Sequence, residues 1–211
     1  NRRFDLSYIT PDKLQALREG TVDFLGLNYY SRVLVRPYTD GETQLVVNNS
    51  GSAFKGSQRV VIKGWFEQVL DDPNMQTTKW GTEIYPDGLR RGLIEVTRRY
   101  HLPIYITENG IGVAEDVSQG EVQDDYRIAF MKDHIAAIKA AQEAGADVRG
   151  YFVWSTFDLY SWKNGCRKRY GLVAVDFENG YTRTPKKSYR WYRDFIAGEQ
   201  TGKPYQEEGQ R

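Results

Sequence analysis

The sequence predicts an α/β fold built on a parallel sheet that is incomplete within the chain. Three observations predict it. Apolar runs of strand length alternate with amphipathic runs of helix length, and that alternation implies parallel strands joined by right-handed crossovers. The strand candidates are apolar along their length, as strands covered on both faces should be. They are three, too few for the helices around them. A parallel sheet needs cover on both faces and protected edges, so further strands are expected from another segment or chain.

The elements follow in order. Thr10-Pro11 reads as an N-cap with proline at the first helical position, and Gly20 ends that helix. "VDFLGLNYYS" reads as a buried strand. Residues 40 to 82 read as irregular, with "DGE", "NNSGS" and "DDPN" as turn signals, and so long a loop is expected to be functional or disordered. "YPDGLRRGLIEVTRRY" places Leu89, Leu93 and Val96 on one helical face, and "LPIYITENG" is the second strand. "EVQDDYRIAFMKDHIAAIKAAQEAG" is the longest helix, with Ile128, Met131, Ile135 and Ile138 at three- and four-residue steps and Gly145 as its stop. "VRGYFVWS" is the third strand, residues 157 to 185 a second loop, and "PKKSYRWYRDFIAG" a closing helix before a frayed tail.

Composition narrows the function. The 211 residues carry a formal net charge of +1, so no whole-chain field favours nucleic acid or a membrane surface. A single cysteine, Cys166, forbids an internal disulfide and fits a reducing, cytoplasmic setting. No apolar run has the length of a bilayer span, and the glycosylation triplet Asn48-Asn49-Ser50 has little weight without a secretion signal. The first residue is not methionine and the opening has no leader character, which suggests processing or the second part of something longer.

In folds of this kind catalytic groups stand at the carboxyl ends of strands. Those ends carry Asn28, Tyr29 and Tyr30, then Glu108 and Asn109, then Trp154 and Ser155. An amide, phenols, a carboxylate and an indole suit a sugar, since the carboxylate can attack, the amide can bind hydroxyls and the indole can cover the C–H face. A lone carboxylate at a strand end is commonly a cap, and most aromatics are core, so pattern alone leaves both readings open.

"YITENG" resembles the nucleophile signature of the retaining β-glycosidases of glycoside hydrolase family 1. "VDFLGLNYYSR", "YPDGL", "GYFVWSTFD" and "RKRYGLVAVDF…PKKSYRWY" occur in that family's order and cover nearly all of the chain. The resemblance implies the last three strands of an eight-stranded (β/α) barrel, incomplete on its own, and one domain fragment over residues 1–211. It implies Glu108 as nucleophile, Tyr30 as the phenol that keeps it ionised, and Asn28 beside the sugar 2-hydroxyl. It implies Trp154 as the indole floor of the sugar subsite and Trp80 as the aromatic at the aglycone side. A nucleophile that stays charged and a partner acid that stays protonated are the chemistry such a site needs.

The chain departs from the family where the acid/base should be. The family's asparagine-glutamate-proline motif does not occur, and its early glutamine and histidine have no counterpart, because His101 and His134 fall at a strand start and mid-helix. The resemblance therefore implies a C-terminal portion that needs an N-terminal segment or chain, and a chain inactive alone.

"SWKNGCRKRYG" is the second clue. Ser161 stands where ordinary β-glucosidases of the family carry a glutamate, with Trp162 next and Lys168 and Tyr170 seven and nine residues on. This set resembles the 6-phosphate clamp of the family's 6-phospho-β-glycosidases, with Trp162 contacting the sugar. The plainer reading is a solvated basic turn made by Lys163, Arg167, Lys168 and Arg169. The expected ligand is a phosphorylated disaccharide or aryl glycoside, galacto or gluco, with no cofactor, no metal and no nucleic acid. Three alternatives remain: an ordinary β-glucosidase, an inactive sugar-binding or scaffold fragment, and a nucleic-acid module using the basic run with Tyr170 and Trp162 as stacking platforms.

Overall fold

A computed structural model describes residues 7–46, 59–70, 72–78, 80–118, 120–161 and 164–200. The order is α1 (Pro11–Glu19), β1 (Leu25–Asn28), β2 (Val35–Tyr38), β3 (Gln44–Val46), β4 (Arg59–Ile62), β5 (Trp65–Gln68), α2 (Pro86–Tyr100), β6 (Ile104–Asn109), α3 (Asp125–Glu143), β7 (Val148–Val153), β8 (Val173–Asp176), β9 (Thr182–Pro185) and α4 (Lys187–Gln200). The expected strands form one parallel sheet in the order β1-β6-β7. Leu25 lies opposite Ile104, and Leu27 opposite Ile106. A register shift before Asn28 brings it opposite Glu108.

One face of this sheet is packed. Leu89 and Leu93 of α2 meet Ile104 and Ile106 of β6, with Ile138 and Ala141 of α3 and Val148 of β7 completing the cluster. Pro86 starts α2 and Arg98 and Arg99 sit in its last turn, which suits the helix dipole. Its buried leucines are four residues apart, so one stripe faces the sheet. Each fully buried aliphatic side chain stabilises by about 1.5–3 kcal/mol, and Leu93→Ala would cost about 2–5 kcal/mol. The other face is bare at the edges: Phe24 is 53% exposed and Phe152 57%. Strands expected to be buried on both faces are thus buried on one.

Two segments differ from expectation. Residues 40 to 82 are not merely irregular: β2 to β5 make an antiparallel sheet in the order β2-β5-β4-β3. β4 and β5 are β-branched and aromatic runs joined at Lys63-Gly64, where Gly64 adopts φ 76° and donates to the Tyr38 carbonyl at 2.9 Å. Two such runs around a short glycine turn are a hairpin signal, which the neighbouring turn residues obscured. Residues 157 to 185 hold the hairpin β8-β9, closed through Gly180 at φ 65°. The longest helix also begins at Asp125 rather than Glu121. Asp124 stays outside because its carboxylate is taken by the Ser188 backbone N–H and hydroxyl and by Arg127. The Asn48 triplet, Trp162, Lys163 and the tail beyond residue 200 lie outside the described residues.

Candidate active site

Glu108 is the penultimate residue of β6, at the carboxyl end of the strand as expected. Tyr30, two residues beyond β1, donates its phenolic hydrogen to Glu108 Oε2 at 2.6 Å. The two strands are locked at that level, because the Tyr29 backbone N–H donates to the Glu108 carbonyl at 2.9 Å. Burial, and then the hydrogen bond to Glu108, push the Tyr30 phenol well above its ordinary value. Tyr30 therefore stays protonated and able to donate to the Glu108 carboxylate. Asn28 sits opposite Glu108 in register, and its side-chain carbonyl accepts the Thr107 hydroxyl at 2.6 Å.

Trp154 follows β7, and its backbone N–H donates to the Asn109 carbonyl at 2.8 Å. Its own carbonyl lies so close to Gly110 that a Cβ there would come within 1.9 Å. Glycine after the strand end is thus what lets the Trp154 turn close over the site. Two other strand-end polar residues prove structural. Asn109 is fully buried, donating to the Tyr29 carbonyl and accepting from the Tyr151 hydroxyl, and Ser155 donates to the Phe157 carbonyl.

The basic run divides. Arg167 is exposed, but Lys168 is not a solvated residue. Its ammonium lies 5.5 Å from the Trp80 ring centroid and 5.3 Å from that of Tyr170, within cation–π range of both. Among the described residues no carboxylate pairs with it, and burial lowers its pKa to about 8. A cavity of about 80 Å³ is lined by Tyr30, Gly110, Lys168 and Tyr170 together, so the phenol bonded to Glu108 and the lysine share one space. Trp80, expected at the aglycone side, has its ring against Lys168. Ser161 does not line that cavity; its hydroxyl accepts from the Asn164 N–H at 3.3 Å inside the Ser161–Gly165 turn.

Sequence reasoning missed the support beneath this loop. Arg127 is 1% exposed and Lys186 fully buried. Arg127 pairs with Glu115 at 2.6 Å and Asp124 at 2.8 Å, Lys186 with Glu115 at 2.5 Å and Asp158 at 2.9 Å, and Arg169 with Asp158 at 2.9 Å. Arg127 also donates to the carbonyls of Ile111 and Tyr170. Three cations and three carboxylates thus tie the loop after β6, the start of α3, the loop carrying Tyr170 and the start of α4. The available signal was the Asp124-x-x-Arg127 pair in an otherwise apolar helix start. Its partners are distant in sequence, so pairing was invisible.

Comparison with known proteins adds identity to geometry. The chain is 44% identical over 177 residues to the 6-phospho-beta-galactosidase of Streptococcus equi subsp. zooepidemicus (strain H70), covering 83% of this chain and 37% of that protein. It is 41% identical over 189 residues to the aryl-phospho-beta-D-glucosidase BglC of Bacillus subtilis (strain 168), covering 87% and 39%. Among solved structures, the AHE enzyme from Alicyclobacillus herbarius superposes with TM-score 0.73 at 32% identity, over 94% of this chain and 39% of that one. The family 1 β-glucosidase from Thermotoga maritima gives 0.70 at 31%, over 92% and 39%. The chain thus spans about two fifths of the length of these proteins, and its open three-stranded sheet is part of a (β/α)8 barrel. The profile of glycosyl hydrolase family 1 matches residues 2–201, and the chain belongs to that family.

Proposed function

We propose that the protein is a retaining 6-phospho-β-glycosidase in which this chain supplies the nucleophile and the phosphate end of the site. The observation that carries the reading is the 2.6 Å hydrogen bond from Tyr30 to Glu108 at the end of a barrel strand. The Glu108 carboxylate attacks the anomeric carbon while a second carboxyl group gives its proton to the departing aglycone oxygen. Water then attacks the glycosyl-enzyme ester, the same second group takes its proton, and Glu108 leaves as carboxylate. Asn28 orients the 2-hydroxyl and Trp154 covers the ring. The second carboxyl group comes from a segment or chain outside this sequence, which contains no Asn-Glu-Pro. Residues 1–211 on their own, as one fragment of that barrel, hydrolyse nothing.

A phosphorylated substrate is supported by Lys168, an ammonium held between two rings with no carboxylate partner among the described residues. A sugar 6-phosphate carries close to two negative charges. Lys168 meets it as a point charge, Tyr170 adds a neutral donor, and Ser161 in place of a carboxylate removes repulsion. The relatives named for phospho-galactosides and phospho-glucosides support the same class and leave the epimer open. A cytoplasmic location goes with it. No described helix is long and apolar enough to cross a membrane. The likeness to a solved β-glucosidase favours the plain-sugar alternative.

The test compares kcat/KM of the complete enzyme on a p-nitrophenyl β-glycoside with and without the 6-phosphate. A preference of orders of magnitude for the phosphorylated form is expected. Equal values or the reverse would make it an ordinary β-glucosidase. No turnover of either would leave the scaffold reading.

A further inference from the structure

We infer that Gly112, on the loop leaving β6, is a specificity-positioning residue: its missing side chain lets the Lys168 stem and the Tyr170 ring rest against the loop that continues from Glu108. The inference rests on the phosphate-binding reading of Lys168 and Tyr170 proposed above. A Cβ on Gly112 would come within 2.5 and 2.7 Å of Tyr170 Cζ and Cε2 and within 2.8 Å of Lys168 Cε. Carbon atoms pack at about 3.5–4.0 Å, so even a methyl group does not fit. Gly112 lacks the left-handed backbone that favours glycine elsewhere in the chain, so its requirement is for space.

The surroundings decide what gives way. The Gly112 side is fixed, because Val113 and Arg169 exchange both backbone hydrogen bonds, at 3.1 and 2.8 Å. The Tyr170 backbone is fixed too, its carbonyl accepting from Arg127 Nη1 at 3.0 Å and from the Ser155 N–H at 3.2 Å. Neither loop can retreat without breaking buried polar contacts. Displacement therefore falls on the Lys168 and Tyr170 side chains, and Trp80 stands against Lys168. Gly112 is four residues from Glu108 on the same segment. It thus sets the distance between the nucleophile and the phosphate ligands, which fixes the anomeric carbon against Glu108 only when the substrate carries the phosphate.

The experiment uses the complete enzyme and its Gly112→Ala variant. With the phosphorylated p-nitrophenyl glycoside kcat/KM falls on the order of 10- to 100-fold, the cost of misplacement by about an ångström, while turnover of the plain glycoside is largely unchanged and reports that the variant is folded. In a Lys168→Ala background the same substitution loses most of its effect, because the coupled partner is gone. A second arm needs no substrate. In lysine-selective 13C NMR, the Lys168 Cε signal, displaced by two flanking rings in the parent, moves to the ordinary lysine position in Gly112→Ala. Should the parent show no preference for the phosphorylated substrate, the phosphate reading fails by itself, and the NMR arm still decides whether Gly112 positions Lys168. Equal losses on both substrates, or an unmoved Lys168 signal, would overturn the inference.

Discussion

The Tyr30 hydroxyl donates to the Glu108 carboxylate at 2.6 Å, joining the ends of two adjacent parallel strands. The raised pKa of the phenol keeps it a donor to Glu108 across the neutral range. A hydrogen bond to a charged group contributes about 1.5–3 kcal/mol. Tyr30→Phe in the complete enzyme should therefore lower kcat/KM by roughly 10- to 100-fold. Steady-state kinetics at neutral pH measure it, and an unchanged value would remove Tyr30 from the catalytic machinery.

Glu108 itself is testable by chemical rescue. Glu108→Gly should abolish turnover of natural substrates. Azide, entering the vacated space on the α face, should restore release of an activated aryl group and yield an α-glycosyl azide, because the other carboxyl group is still in place. NMR of the product reads the anomer. A β-azide, or wild-type activity without azide, would exclude Glu108 as nucleophile.

How much of this was legible follows from what each element depends on. The parallel strands and α2 to α4 are local: Leu89 and Leu93, or Ile104 and Ile106, announce their period within a few residues. Glu108 and Tyr30 were legible as strand-end residues, but their hydrogen bond spans 78 positions and depends on register. The β4-β5 hairpin was hidden because one glycine, Gly64, marked its turn among many louder turn signals. The buried pairing of Arg169 had no local signal, because its partner Asp158 is supplied by the loop on the far side of the turn. Gly112 carried no local signal, since its reason is a ring that arrives from residue 170.

The buried ion network makes a stability prediction. Arg127 has its guanidinium on Glu115, Asp124 and the carbonyls of Ile111 and Tyr170. Arg127→Met leaves buried Asp124 without a cation among the described residues and Glu115 with Lys186 alone, and breaking such a buried pair costs about 3–5 kcal/mol. Thermal unfolding of the complete enzyme should show a large drop in Tm. A change of no more than a degree or two would mean that Lys186 and Ser188 alone satisfy those carboxylates.

His134 predicts acid sensitivity. It is fully buried, stacked on Phe130 at 3.9 Å, with Nδ1 2.8 Å from the Phe130 carbonyl and Nε2 without a partner among the described residues. Burial lowers its pKa despite the opposing pull of Asp133 and that carbonyl. With the folded value below the unfolded 6.5, the unfolded chain binds the extra proton first, so this contribution is present above about pH 6.5 and is lost as pH falls. Urea unfolding at pH 7.5 and 5.5 should show a smaller loss for His134→Phe than for the parent. An identical loss would assign the acid sensitivity elsewhere.

Lys168 sets function against stability. Burial lowers its pKa from 10.5 to about 8, and holding it charged at neutral pH is a cost the fold bears. With the folded value below the unfolded one, the unfolded chain binds more protons between those values, so stability rises with pH through that window. Lys168→Met removes the cost, so its Tm should exceed the parent's at pH 7, with the gap closing as pH climbs from about 8 toward 10.5. The same substitution should erase the preference for the 6-phosphorylated glycoside, because a thioether offers the dianion no charge. In the parent, kcat/KM for the phosphorylated substrate should fall above about pH 8 as the ammonium loses its proton, while that for the plain glycoside lacks this limb. Lys168→Arg, charged throughout, should shift the limb to higher pH. A Lys168→Met variant that is less stable than the parent and keeps its phosphate preference would show that the two rings hold this lysine for packing alone.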